Sequence, residues 1–200
     1  MGGRLIKEDI DRFADYGLYP KTRTILLMEN PGEDGDGQGT TCSVAKDLVR
    51  NLHLLTSTNS DPITIIMNIS GGDFYHGSAI YDAIAGCRDH HITVVGTGYV
   101  MSMGSIIIQA ADRRVMTPTA TMMLHYGSNG KEKDQHSKDL IKTAEEEKRI
   151  NLWMEDLYLE KIREAQPKFS RRRLREMINF DKYLDAKRAL GLGLIDEIRK

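Results

Sequence analysis

Short runs of β-branched and aliphatic residues, alternating with helical patterns through glycine-bearing turns, constrain this chain more than any other feature. Thr24 to Met28 reads as a strand, and Asn30 to Gly39, rich in Gly, Asp and Pro, as a loop. Thr40 or Thr41 can cap a helix whose apolar positions Val44, Leu48, Leu52 and Leu55 recur at helical spacing. Ile63 to Ile69 is a continuous apolar run of buried-strand length. Ser70-Gly71-Gly72 then turns the chain into a helix bearing Ile80, Ile84 and Cys87. Ile92 to Val95 is a further strand, leading through Gly96-Thr97-Gly98 toward Ser102. Strands that alternate with helices in this way predict an α/β fold with a parallel sheet.

The second half changes character. Arg114 to Met116 and Thr121 to His125 are short strand candidates, and Tyr126 to Lys133 is a polar, glycine-containing segment. From about Gln135 to Ala165 the pattern is one long helix, with Leu140, Ile141, Ala144, Trp153, Leu157 and Ile162 as a broken apolar stripe among many charges. Pro167 ends it, and Ser170 can cap a second helix through Ile178. A domain of this size cannot wrap so long and charged a helix, so part of the stripe is expected to meet another subunit. No internal repeat or domain boundary is evident, and residues 1–200 read as one domain, with 1–22 as an N-terminal segment and about 126–165 as a projecting region.

Composition excludes several classes. Hydrophobic residues at 40% and charged residues at 28% are those of a globular protein, not a disordered one. A net charge of −1 gives no global field toward nucleic acid or anionic membrane, and neither is expected as a partner. Arg171-Arg172-Arg173 is the one dense basic run, and it reads as a solvated helix start. Cys42 and Cys87 form neither a disulfide framework nor a metal-ligand pattern, which points to a reducing, cytoplasmic compartment. Met1 to Asp11 carries charge throughout and does not read as a signal peptide. Val100 to Ala111 is too short and too interrupted to span a bilayer.

Candidate chemistry begins at Ser102. A serine hydroxyl needs a neighbouring base, the base needs an orienting partner, and the tetrahedral oxyanion needs N–H donors where a strand turns into a helix. Gly98-Tyr99-Val100-Met101-Ser102-Met103-Gly104 is such a turn, although valine at position 100 departs from the G-x-S-x-G elbow. Read alone, Ser102 is either a nucleophile or a helix cap, and His125 either a base or a packing residue at a strand end. His90-His91 reads as a polar turn. Asp181 is one of several late carboxylates, with Asp185, Asp196 and Glu197, and nothing local singles it out.

Four motifs read in order change the balance. Ser70-Gly71-Gly72 precedes a helix containing Ile80-Tyr81-Asp82, and Met101-Ser102-Met103-Gly104 forms a nucleophile-like segment. Arg114 through Pro118 leads to Met123-Leu124-His125, and Asp181-Lys182-Tyr183-Leu184-Asp185-Ala186 is followed by Ala189 and Gly193-Leu194-Ile195-Asp196. From about Thr24 onward the chain resembles the ClpP family of self-compartmentalising serine peptidases. The resemblance implies a ClpP/crotonase-like spiral of β-β-α units with the long helix as a projecting handle.

It also implies roles: Ser102 as nucleophile, His125 as general base and acid, and Asp181 as the carboxylate that orients the histidine. The backbone N–H groups of Gly72 and Met103 would be the oxyanion donors. Substrate would lie as an added strand between Gly71, Asp73 and Phe74 on one edge and Tyr126 and Gly127 on the other. The implied protein is an endopeptidase of unfolded proteins and short peptides, assembled from its own copies as a ring such as a double heptamer. A Clp-type AAA+ ATPase would be its partner, and neither metal nor organic cofactor is called for. Four departures stand out. The turn Ile69-Ser70-Gly71-Gly72 lacks the family's proline, Phe180 stands where the family carries arginine, and the interval from His125 to Asp181 is longer, with the excess near Lys168 to Asn179. The N-terminus has charged Lys7-Glu8-Asp9 in place of an apolar axial segment. Two other readings remain open on the sequence: a non-catalytic ring subunit, and a crotonase-like acyl-CoA enzyme that uses carboxylates as acid and base.

Overall fold

Strand β3 (Ile63–Ile69) is the centre from which the architecture is built. In a computed structural model of the chain, residues 7–29, 39–127 and 137–199 are described. Helix α1 (Lys7–Tyr16), strand β1 (Leu18–Tyr19) and a 3-10 turn at Pro20–Thr22 lead into β2 (Thr24–Met28), and α2 (Cys42–Thr56) crosses to β3. Helix α3 (Phe74–Ala85) then crosses to β4 (Ile92–Met101), which runs into α4 (Met103–Ile107) and a 3-10 turn at Ile108–Ala110. Strands β5 (Arg113–Met116) and β6 (Thr121–Leu124) precede α5 (Ser137–Ala165), α6 (Arg171–Ile178), β7 (Lys182–Asp185), α7 (Ala186–Leu192) and β8 (Glu197–Ile198). Strands β2, β3, β4 and β5 are mutually parallel neighbours, as the β-α alternation predicts.

Each helix start has a chemical reason. Thr41 and not Thr40 caps α2, its hydroxyl accepting from the N–H of Val44, while Asp73, Ser170 and Asp185 cap α3, α6 and α7 in the same way. Along β3, Ile63, Ile65, Met67 and Ile69 are fully buried and the residues between them only half so. The apolar run is thus covered more tightly on one face than the other. Ile80 and Ile84 of α3 join the same core, and Cys87 falls just beyond the helix.

Gly96-Thr97-Gly98 is the clearest difference from the sequence expectation. It does not end the strand, because β4 continues to Met101. Instead the register against β3 jumps from Met67↔Gly96 to Ile69↔Val100, and Gly98 takes a positive φ of 54°. The side chain of Asn68 fills the irregularity, its Oδ1 accepting from the N–H of Tyr99 at 2.8 Å. Before the kink β4 pairs with β5, and after it with β6. One strand thereby serves two partners.

Helix α5 is about 44 Å long at the usual helical rise. Its stripe is split: Leu140 and Ile141 are exposed, Trp153 packs edge-on against Phe74 and Tyr81, and Leu157 and Ile162 are buried. Met154, Tyr158 and Leu159, outside the expected stripe, are buried with them. No helix among the described residues is long and apolar enough to cross a membrane.

The basic run at 171–173 is more than a solvated helix start. Arg171 pairs with Glu155 and Asp156, and Arg175 with Glu155, whose side chain is nearly fully buried on α5. A buried carboxylate requires such partners, so α6 is tied to α5 through charge. The loop read at positions 30–38, the segments 1–6 and 128–133, and the helix start at 135 lie outside the described residues.

Candidate active site

Three strand ends that are distant in sequence meet because β6 sits between two partners. β4 lies parallel to β6, with Met101↔Met123 as the last pair, and the N–H of Ser102 donates to the carbonyl of Met123 at 2.8 Å. β7 lies antiparallel to β6, ending at Leu124↔Lys182. Continued by one position, that register sets His125 opposite Asp181. The imidazole Nε2 of His125 lies 2.8 Å from Ser102 Oγ, and its Nδ1 lies 3.2 Å from Asp181 Oδ1. Ser102, His125 and Asp181 are therefore brought into one line, with a hydrogen bond between Ser102 and His125 and a 3.2 Å charge contact between His125 and Asp181. The histidine is half-buried and the aspartate side chain 53% exposed.

The backbone at Ser102 is held in a conformation that non-glycine residues rarely adopt, with φ 49° and ψ −117°. Several bonds over-determine it. Besides the bond to Met123, the carbonyl of Ser102 accepts from both the N–H and the hydroxyl of Ser105. Because that hydroxyl has one hydrogen, already given to Ser102, the Tyr158 hydroxyl donates to Ser105 Oγ across 2.6 Å. Burial pushes the Tyr158 phenol well above its ordinary range, which keeps it a neutral donor. The base of α5 is thus wired to the segment carrying Ser102.

Helix α4 follows at once, and all five of its residues are buried. The small Gly104 lets it press onto β3, where a Cβ would stand 2.7 Å from the carbonyl oxygen of Ile69. As the first residue of α4, Met103 has an N–H with no acceptor inside the helix.

Gly71 and Gly72 close the other side. Their φ angles of 153° and 116° suit glycine, and a Cβ on Gly72 would stand 2.1 Å from the backbone nitrogen of Thr40. Thr40, buried and unassigned from sequence beyond a capping role, clamps this turn: its N–H donates to the carbonyl of Gly71 and its hydroxyl to the carbonyl of Asp73, each at 2.8 Å. In place of a proline, Ser70 offers an N–H that donates to the Glu29 carboxylate.

A cavity of about 390 Å³ opens beside Ser102 and His125. Gly72, Asp73, Phe74, Met103 and Gly127 line it, while Gly71 is buried behind Ser102. Tyr126 does not line it. Its hydroxyl donates to Glu155 at 2.7 Å, and burial together with that acidic acceptor raises the phenol to about 12. Sequence reading missed the wall that α5 contributes, namely Glu147, Ile150, Asn151 and Met154. Their spacing is helical, but alternating polarity hides them from a search for an apolar stripe. Phe180, beside Asp181, is 81% exposed.

Comparison with known proteins points to one family. A family model described as Clp protease matches residues 36–200. The ATP-dependent Clp protease proteolytic subunit of Deinococcus radiodurans is 32% identical over 158 residues, covering 78% of this chain and 74% of that protein. Proteolytic subunit 2 of Pseudomonas aeruginosa is 30% identical over 157 residues, with the same coverage. Proteolytic subunit 3 of a Synechococcus strain is 27% identical over 198 residues, covering 98% of this chain and 92% of its own. Among solved structures, a mutant ClpP1 from Listeria monocytogenes superposes with a TM-score of 0.73 at 28% identity, covering 90% of this chain and 92% of that one.

Proposed function

The chain belongs to the Clp protease family, with an α/β fold of the ClpP kind and α5 as its handle, and on that premise we propose that it is a serine endopeptidase acting through an acyl-enzyme. Ser102 Oγ attacks the scissile carbonyl while its proton passes to His125 Nε2. The Nδ1–H of the same ring donates to Asp181, which fixes the tautomer and stabilises the imidazolium. The oxyanion is met by the N–H groups of Gly72 and Met103. Collapse breaks the C–N bond, and the leaving amine takes the proton from Nε2. A water molecule then repeats the sequence on the ester and frees the acid. Substrate lies extended between the Gly71-to-Phe74 segment and the Tyr126-Gly127 segment, its main chain supplying most of the recognition.

The observation that carries this reading is the unbroken contact from Ser102 Oγ through His125 to Asp181 Oδ1. A fluorophosphonate probe should label Ser102, and Ser102→Ala should abolish both labelling and hydrolysis of short fluorogenic peptides. Unchanged turnover in that variant would remove the mechanism.

The protein works as a ring of its own copies. Leu140, Ile141 and Leu152 stand exposed along the handle, a surface suited to burial between subunits, and a double heptamer is the proposed form. Native mass measurement distinguishes one ring, two rings and a monomer. A Clp-type AAA+ ATPase feeds unfolded substrate to the chamber, in the cytoplasm, with no cofactor bound to the peptidase itself. Degradation of a tagged folded substrate only when such an ATPase is added tests that partnership.

A further inference from the structure

We infer that the cavity beside Ser102 selects a substrate side chain with an apolar stem and a cationic end, a lysine or arginine on the acyl side of the scissile bond, with Glu147 as its countercharge. This rests on the peptidase reading above. The inner wall is apolar, made by Met103 and Ile106 of α4 and by Ile150 and Met154 of α5. Apart from the catalytic His125, charge enters as carboxylates: Glu147 from the handle and Asp73 from the start of α3 both line the cavity, and no lysine or arginine is among the described residues that do.

The two carboxylates are not equivalent. Asp73 is committed as a helix cap, with Oδ1 accepting from the N–H of His76. Two other carboxylates near it on α5 are satisfied within the chain. Glu146 is held by Arg149 and Tyr75, and Glu155 by Arg171, Arg175 and Tyr126. Glu147, half-buried, has no cation within ion-pairing distance among the described residues. A leucine in this pocket would cover an unpaired carboxylate and gain nothing for it. A lysine or arginine lays its methylene stem on the apolar wall and its charge beside Glu147.

Three peptide amides that differ only in the residue before the fluorogenic leaving group test this: lysine, norleucine (the same four-carbon stem without the ammonium), and glutamate. The order of kcat/KM for the intact assembly should be lysine, norleucine, glutamate, with lysine ahead of norleucine by about fivefold given the partial exposure of Glu147. Glu147→Gln should erase that margin, and Glu147→Lys should place glutamate above lysine. Norleucine matching or exceeding lysine in the unmodified protein overturns the inference, as does a lysine-to-norleucine ratio that neither variant moves. Fluorophosphonate labelling is run on the same samples. Labelling without a lysine preference overturns the specificity alone, and absence of both labelling and hydrolysis overturns the peptidase reading and this inference with it.

Discussion

His125 and Asp181 face each other one step beyond the last pair of the β6–β7 ladder, with Nδ1 and Oδ1 3.2 Å apart. The contact is made by sheet register, and side-chain reach completes it. Replacement of the aspartate therefore tests the relay without disturbing what positions it.

Asp181→Asn should leave the fold intact and lower kcat on the order of 10²- to 10⁴-fold, because the amide no longer selects the productive imidazole tautomer. The solvent around this half-exposed carboxylate places the effect toward the lower end. Peptide hydrolysis rates and circular dichroism on the same preparation check it; a change below threefold would mean that Asp181 is a bystander.

Glycine is required at position 72 and not at position 127. Gly72→Ala would force a Cβ to within 2.1 Å of Thr40 at a φ of 116°, and should lower both the melting temperature and the activity. A Cβ on Gly127 meets nothing within 4 Å among the described residues, so Gly127→Ala should melt as the parent does. Equal melting of all three proteins would contradict the clamped turn.

Tyr158→Phe removes the donor that satisfies Ser105 while preserving the shape of the core. The expected cost is about 1–2 kcal/mol in urea unfolding, with slower probe labelling at Ser102 as the strained serine loses a support. Labelling at the parental rate would show that the handle does not steady the nucleophile segment.

Acid should unfold the protein partly through Glu155. Burial alone would raise this carboxyl, but hydrogen bonds from Arg175, Tyr126 and Arg171 outweigh it and hold the group below its ordinary range. Asp196 is lowered similarly: burial opposes, and its bonds to Arg114 prevail. A lowered folded-state value stabilises above the ordinary carboxylate range, near pH 4, and the contribution is lost as pH falls through the folded value. Urea midpoints measured from pH 7 to pH 3 should therefore fall steeply in the parent and less steeply in Glu155→Gln. Parallel curves would deny Glu155 that role.

Local chemistry by itself determined the elements. The β-branched run at 63–69, the capping residues Thr40 or Thr41 and Ser170, and the glycines at 71–72 announce strand, helix starts and turn, because each acts on its own neighbours in the chain. The motif order around Ser102, His125 and Asp181 pointed to a family and so to a candidate site. Tertiary structure alone decided what depends on distant segments meeting. It bent β4 at Gly98 so that one strand pairs with both β5 and β6, and it set β7 against β6 in the register that brings Asp181 to His125. It also turned Glu147, Ile150, Asn151 and Met154 of the handle toward the cavity. Hydrogen-bond register and the placement of a mixed-polarity helix face are settled by contacts between residues far apart in sequence, and no local pattern carries that information.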